Sequence, residues 1–404
     1  MAIQPKSVPF KHVALRVVGP RDEYLAARIQ RLDMPANIPT TDIDELGNPE
    51  HAGTVRDVAE VTATIQAFDV SIKLFAALTG NDPTAYPGAG VSINELGDVD
   101  IIGVIRDASI ADYAKSVHLR RCRVDGFTFT YSIDGEATEE YTFMGSEKRW
   151  FRHDIVVDNY TSAHSSPLTL SYTPIQLKNS NRLLSFVKDG EYFTEVTSAP
   201  AADAGEYRVV GTAVTFSSPT SITDYAVAVY HVNTGANLWT DVNDDTIPAA
   251  VRGKDIPVYI AANRIGRVQS VTIRGTLPVE RIEEMGNRDV VGYITQVPQI
   301  TGDINVLDTD LDLIALFTTG DMDSADTEFQ LCEYTASGIS LEIRILDPSD
   351  ACGLPGSGTI LKTVYIPEIT ITSEGHTTNV GGSAQQTFSW RSSTGNLYIY
   401  SGAR

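Results

Sequence analysis

Cysteine is scarce in this chain. There are three in 404 residues, Cys122, Cys332 and Cys352, and none stands in a C-x-x-C pair. That excludes a disulfide scaffold and fits a reducing compartment, with three ordinary thiols. Histidine is sparse as well. His12, His51, His118, His153, His164, His231 and His376 neither pair at metal-ligand spacing nor flank a cysteine. Long apolar runs are missing, so no helix should span a membrane. Met1 to Phe10 holds no apolar run followed by a small-residue cleavage site, so no secretory signal is expected and the chain should stay in the cytoplasm until assembly.

Positive charge is also short. Lys and Arg number 31 against 52 Asp and Glu, a formal net charge of −21. Wrapping nucleic acid needs clustered Lys and Arg, so that use is disfavoured. A negative wall past which DNA slides is the opposite use, and plain solubility is the bland one. At 42% hydrophobic residues the chain can bury real cores, and its length fits two or three domains.

Catalytic and metal motifs fail on inspection. Gly353-Leu354-Pro355-Gly356-Ser357-Gly358 spaces glycines like a phosphate loop, but Thr359 stands where the lysine belongs. Asp308-Thr309-Asp310-Leu311-Asp312 begins like a calcium loop, yet Leu313 and Thr319 replace its Gly and Glu. Asp241-Val242-Asn243-Asp244-Asp245 fails likewise at Thr246 and Arg252. Gly381-Gly382-Ser383-Ala384-Gln385 lacks the closing glycine of a nucleophile elbow. Glu139-Glu140-Tyr141 reads as an acidic strand edge. No catalytic residue, metal or cofactor is expected.

What the chain does contain is an internal repeat. Ile38 to Asp69 aligns without gaps on Leu277 to Asp308, with ten identities in thirty-two positions; chance gives about two. They include Pro39/Pro278, Glu45/Glu284, Gly47/Gly286, Asn48/Asn287, Thr62/Thr301 and Ile65/Ile304. A weaker window lays Val117 to Phe143 over Val364 to Trp390. The copies are then 1–155 and 255–404, and 156–254 is an inserted domain with turn-rich edges.

Each copy reads the same way. Alternating strands at Ala27–Leu32 and Arg267–Ile273 are followed by a long polar loop, 33–57 or 274–296, with turns at Gly47-Asn48 and Gly286-Asn287. A second strand covers Glu60–Phe68 or Gln299–Leu307. A short helix then ends at Gly80 or Gly320, and more strands follow, such as Arg123–Ile133. The insert shows a hairpin, Arg182–Val187 and Tyr192–Val196, about Asp189-Gly190. The expected class is mainly β: two tandem β-sandwich or barrel domains, each with one short helix, plus a small inserted β-sandwich.

This order, strand, polar loop with Glu45-Leu46-Gly47-Asn48 or Glu284-Met285-Gly286-Asn287, strand, short helix ending in Gly, strand bundle, resembles the tail tube domain of long-tailed bacteriophages. The resemblance covers both copies and not the insert. It implies a structural virion protein, assembled in the host cytoplasm into six-fold rings that stack into a DNA-conducting tube. A duplicated chain would need three copies per ring, a homotrimeric pseudo-hexamer with acidic side chains lining the lumen. The loops bearing Glu45, Gly47, Asn48, Glu284, Gly286 and Asn287 would reach neighbouring subunits. Implied partners are the chain itself, tape-measure, terminator and baseplate or tip proteins, and DNA passing without specific binding. The alternatives are another tail or baseplate component on the same fold, a β-rich adhesin or carbohydrate-binding protein, and, last, a β-rich hydrolase.

Overall fold

The computed structural model describes residues 13–402 except 22, 27, 45–50, 52, 57–58, 69–71, 86–87, 107–113, 153, 203, 217–220, 233–250, 286–289, 308–310, 323, 325, 327, 331–337, 349–357 and 379–383. The described residues are mainly β, with two short α-helices. None of their helices is long and apolar enough to cross a membrane.

The first part contains β1 (Val13–Val18), β2 (Glu23–Ala26), β3 (Ile29–Asp33), β4 (Ala36–Asn37), β5 (Thr40–Ile43), β6 (Gly53–Arg56) and β7 (Glu60–Ala67). Then come α1 (Ile72–Thr79), β8 (Val91–Ser92), β9 (Val99–Arg106), β10 (Ala114–Ser132), β11 (Thr138–Gly145) and β12 (Glu147–Phe151). The long β10 serves two sheets. Its first stretch extends the order β2-β1-β9-β10-β12. Its second stretch closes the order β3-β7-β11-β10. Period-two alternation sets the faces. In β7, Val61, Ala63, Ile65 and Ala67 point to the core, and Glu60, Thr62, Thr64 and Gln66 point away. Within the polar loop 33–57, β5 and β6 pair as a hairpin that its composition does not suggest.

The middle part holds β13 (Ile155–Thr161), β14 (Leu168–Thr169), β15 (Leu183–Lys188), β16 (Glu191–Tyr192), β17 (Thr194–Glu195), β18 (Glu206–Val210), β19 (Ala213–Phe216) and β20 (Tyr225–His231). They form two four-stranded sheets, β13-β20-β15-β16 and β14-β19-β18-β17. Phe186, Tyr207, Val214, Phe216 and Tyr230 pack between them. Asp189 (φ 51°) and Gly190 (φ 86°) make the tight turn of the β15–β16 hairpin, where positive φ at both central positions matches the strand twist. Burial pushes the Asp189 carboxyl up, but the Lys188 ammonium and the N–H groups of Thr223, Asp224 and Tyr225 outweigh it and hold the group at about 2. A depressed acid stabilises the fold above its unfolded value and loses that contribution as pH falls through the folded one. Asp189→Ala is therefore expected to cost about 1–2 kcal/mol at neutral pH. Its deficit should shrink between about pH 4 and about pH 2, as read by urea titration at several pH values.

The last part contains β21 (Val258–Ile260), β22 (Asn263–Ile265), β23 (Val268–Thr276), β24 (Val279–Ile282), β25 (Gly292–Thr295) and β26 (Gln299–Val306). It continues through α2 (Asp312–Thr319), β27 (Ile339–Leu346), β28 (Ile360–Thr377), β29 (Gln385–Ser392) and β30 (Tyr398–Ser401). Its pairings run β22-β21-β27-β28-β30 and β23-β26-β29-β28, with β24–β25 as a separate hairpin. Strand for strand, this is the order of the first part.

The registers correspond as well. Ile29↔Ala67 has its counterpart in Val268↔Val306, Glu139↔Ala67 in Gln386↔Val306, and Thr130↔Thr138 in Thr377↔Gln385. Bulges fall at equivalent places, between Ile29/Arg31 and Val268/Ser270, and between Val124/Gly126 and Ile371/Ser373. Positive φ at a non-glycine residue is uncommon, yet Arg28 (54°) and Arg267 (57°) both adopt it at equivalent positions. Each carbonyl accepts a matching bond, from Phe68 N at 3.2 Å and from Leu307 N at 3.0 Å. Both helices stop at a left-handed glycine, Gly80 or Gly320, the conformation that ends a helix without a Cβ penalty.

Candidate assembly surface

The two equivalent parts are fused along one seam. The second stretch of β10 pairs antiparallel with β23, from Gly126↔Thr276 to Ser132↔Ser270. Both four-stranded sheets thereby join into one of eight, β3-β7-β11-β10-β23-β26-β29-β28. Further along, β30 pairs with β8. One apolar core crosses the joint and includes Phe127, Phe129 and Tyr131 from one side and Val271, Ile273 and Ile399 from the other. The β24–β25 hairpin leans across as well, where Arg121 Nη1 donates to the Val291 carbonyl at 3.0 Å.

A buried ion pair locks the seam. Lys362 Nζ lies 2.6 Å from Glu139 Oε1, and both side chains are almost fully excluded from water. The hydroxyls of Tyr131 and Tyr141 donate to the same carboxylate at 3.3 and 3.2 Å. Burial, then the Glu139 charge, pushes both phenols well above their usual range, so they stay protonated donors. The ammonium also sits 5.3 Å over the Phe129 ring. Glu139 is thus not an acidic strand edge: β11 is an inner strand, and Glu139 points into the core while Glu140 points away. The members lie 223 residues apart, so no sequence motif joins them.

A sheet of eight with one internal seam leaves two ends. Among the described residues, β3 pairs only with β7, and the second stretch of β28 only with β29. β3 is the equivalent of β23, and the second stretch of β28 is the equivalent of that of β10. The free ends therefore repeat the two edges already joined inside the chain.

The sheet face turned away from the core is rich in hydroxyls, among them Thr62, Thr128, Thr130, Thr272, Thr301 and Ser389. Its charges are Asp33, Glu60, Glu140 and Asp303 against Arg31, Arg274 and Arg391. Arg31 pairs with Asp33 at 3.2 Å and Arg274 with Asp303 at 2.7 Å. Hydroxyl residues outnumber acids at the outward positions of these alternating strands.

The middle domain is held on the first part by a separate cluster. Val18, Ile102 and Val104 pack against Ile155, Leu184, Val227 and Val229. At its centre the Asp100 carboxylate lies 3.1 Å from His118 Nε2 and accepts from Ser185 Oγ, from Tyr192 Oη at 3.3 Å and from Arg121 N at 2.9 Å. Burial pushes this carboxyl up, but His118, Ser185 and Arg121 outweigh it and hold it below its usual value. Asp, His and Ser meet here without nucleophilic wiring: the serine donates to the carboxylate instead of to the imidazole, and all three are buried. On the equivalent face of the last part, Glu342 and Arg344 replace Ile102 and Val104. They pair at 2.6 Å, with Arg344 4.1 Å over the Tyr259 ring.

Of the loop residues singled out in the sequence, Glu45, Gly47, Asn48, Gly286 and Asn287 lie outside the described residues. Glu284 is exposed beyond the end of β24. The motifs at 241–245, 308–310, 351–357 and 381–383 also lie outside them, as do Cys332 and Cys352. Cys122 is buried, and burial, followed by Asp100 and Asp98, pushes its thiol well up. Among the described residues no three His, Cys, Asp or Glu side chains form a metal-binding group. No protein-family model matches the chain, and no curated protein matches it in sequence.

Proposed function

We propose that this chain is a self-assembling wall unit of a phage-type tail tube, with three copies closing a pseudo-six-fold ring around a lumen that passes DNA. One observation carries the reading: the chain contains a finished joint between two parts of matching strand order, and the same two edges stand unjoined at its ends among the described residues. A head-to-tail contact that repeats by a constant rotation either closes or grows into a filament, and closure removes the exposed strand edges that otherwise invite aggregation. In this reading each half is a tail-tube-like domain, and the hydroxyl-rich face lines the lumen. Among the described residues such a wall has nearly balanced charge and no cationic cluster, so phosphates gain little by stopping on it. The middle domain sits on the outer side as decoration.

The test is sedimentation and negative-stain microscopy of the purified chain. Rings or stacked tubes with three-fold repeats are the expected result. Monomers at all concentrations examined would sink the reading.

A further inference from the structure

Resting on that ring, the internal seam assigns the register of the joint between chains and the charge pair that holds it. We propose that the second stretch of β28 in one chain pairs antiparallel with β3 and β4 of a second copy. Transferring the observed pairs Gly126↔Thr276 to Thr130↔Thr272 by equivalence sets Ser373 opposite Asn37, Glu374 opposite Ala36, His376 opposite Met34, and Thr377 opposite Asp33.

The edge is competent for this despite Pro35. Thr62 N donates to the Pro35 carbonyl at 3.3 Å, so residue 35 turns its backbone polar groups inward to β7. In an antiparallel strand the N–H and C=O of one residue face the same side, and the donor that proline lacks is an inner one. Met34 and Ala36 then face outward. The Lys148 ammonium covers the Met34 carbonyl, which keeps a second lone pair for an incoming N–H.

The charges also fit. The equivalent of buried Lys362 is Lys115, which is exposed and stacked 4.1 Å over Trp150. Trp150 is itself 50% exposed, although its equivalent, Ile399, is buried in the internal seam. On the opposite edge Glu139 is replaced by Gln386, whose amide donates to Glu374 Oε1 at 2.9 Å. The carboxylate has moved one strand across, beside its old position, and Lys115 of the second copy reaches it there. The outer joint is more polar than the inner one, since Glu374 and His376 stand in place of Phe127 and Phe129.

Two measurements test this. In a non-hydrogen-bonded antiparallel pair, Cα atoms lie about 4.5 Å apart, within the span of a disulfide. Asp33→Cys with Thr377→Cys should give covalently linked trimers on non-reducing gels, with the wild-type chain as baseline. Asp33→Cys with His376→Cys, whose side chains leave opposite faces, should not. Lys115→Glu should raise the concentration for half-assembly by at least about tenfold while leaving the melting temperature of the monomer unchanged, and adding Glu374→Lys should restore assembly. Rings without the 33–377 link, or without rescue, overturn this register and leave the ring standing. Monomers throughout overturn both.

Discussion

Lys362→Met should lower the unfolding free energy by about 3–5 kcal/mol, the range for breaking a buried ion pair from one side. The variant strips Glu139 of the ammonium 2.6 Å away and keeps the carboxylate among Tyr131, Tyr141 and Phe129. The two phenol hydroxyls that remain stabilise the charge only in part, because each hydrogen bond to a charged group contributes about 1.5–3 kcal/mol. Adding Glu139→Gln should recover most of the loss, since the double variant buries neutral groups of similar volume. Urea titration of the four chains of this cycle measures the coupling directly. A Lys362→Met chain as stable as wild type would mean that water reaches the pair.

The second large effect concerns a packing exchange between the halves. Gly302 stands directly across from Trp390, and its equivalent Ala63 stands across from Phe143. The larger ring goes with the smaller residue. A Cβ at Gly302 would come 2.4 Å from the Trp390 ring and 2.2 Å from the Thr272 carbonyl oxygen. Gly302→Ala should therefore cost about 1–3 kcal/mol by overpacking. Trp390→Phe alone should leave a void and cost a similar amount. Combined, they reproduce the Ala63–Phe143 pairing and should cost less than the sum, with a residual penalty from the Thr272 carbonyl. Thermal melts that show strict additivity would contradict the exchange.

Much of the fold is legible in the residues. The strict alternation of Glu60–Ala67 and Gln299–Val306 follows from one wet and one dry face, and it locates both strands. The apolar spacing of Ile72–Thr79 before a left-handed Gly80 does the same for the helix. The β5–β6 hairpin was not legible, since Thr40–Ile43 is exposed along its whole length and carries no buried period. The candidate assembly surface was legible only as a repeat. Its working parts, Lys362 with Glu139 and the paired edges of β10 and β23, are contacts between segments far apart in sequence. A lysine inside the apolar run Ile360–Val364 was the one local sign that a carboxylate waits elsewhere.

The pairing of Ile102 and Val104 with the middle domain, set beside Glu342 and Arg344 at the equivalent places, has a practical consequence. The last part shows that sheet face finished by an ion pair instead of an apolar contact, with Arg344 partly exposed and Glu342 buried. A minimal chain lacking the middle domain would need that chemistry grafted onto β9, by Ile102→Glu and Val104→Arg. Simple excision would leave a bare apolar shelf and strip Asp100 of two of its donors, Ser185 and Tyr192, leaving it with His118 and Arg121.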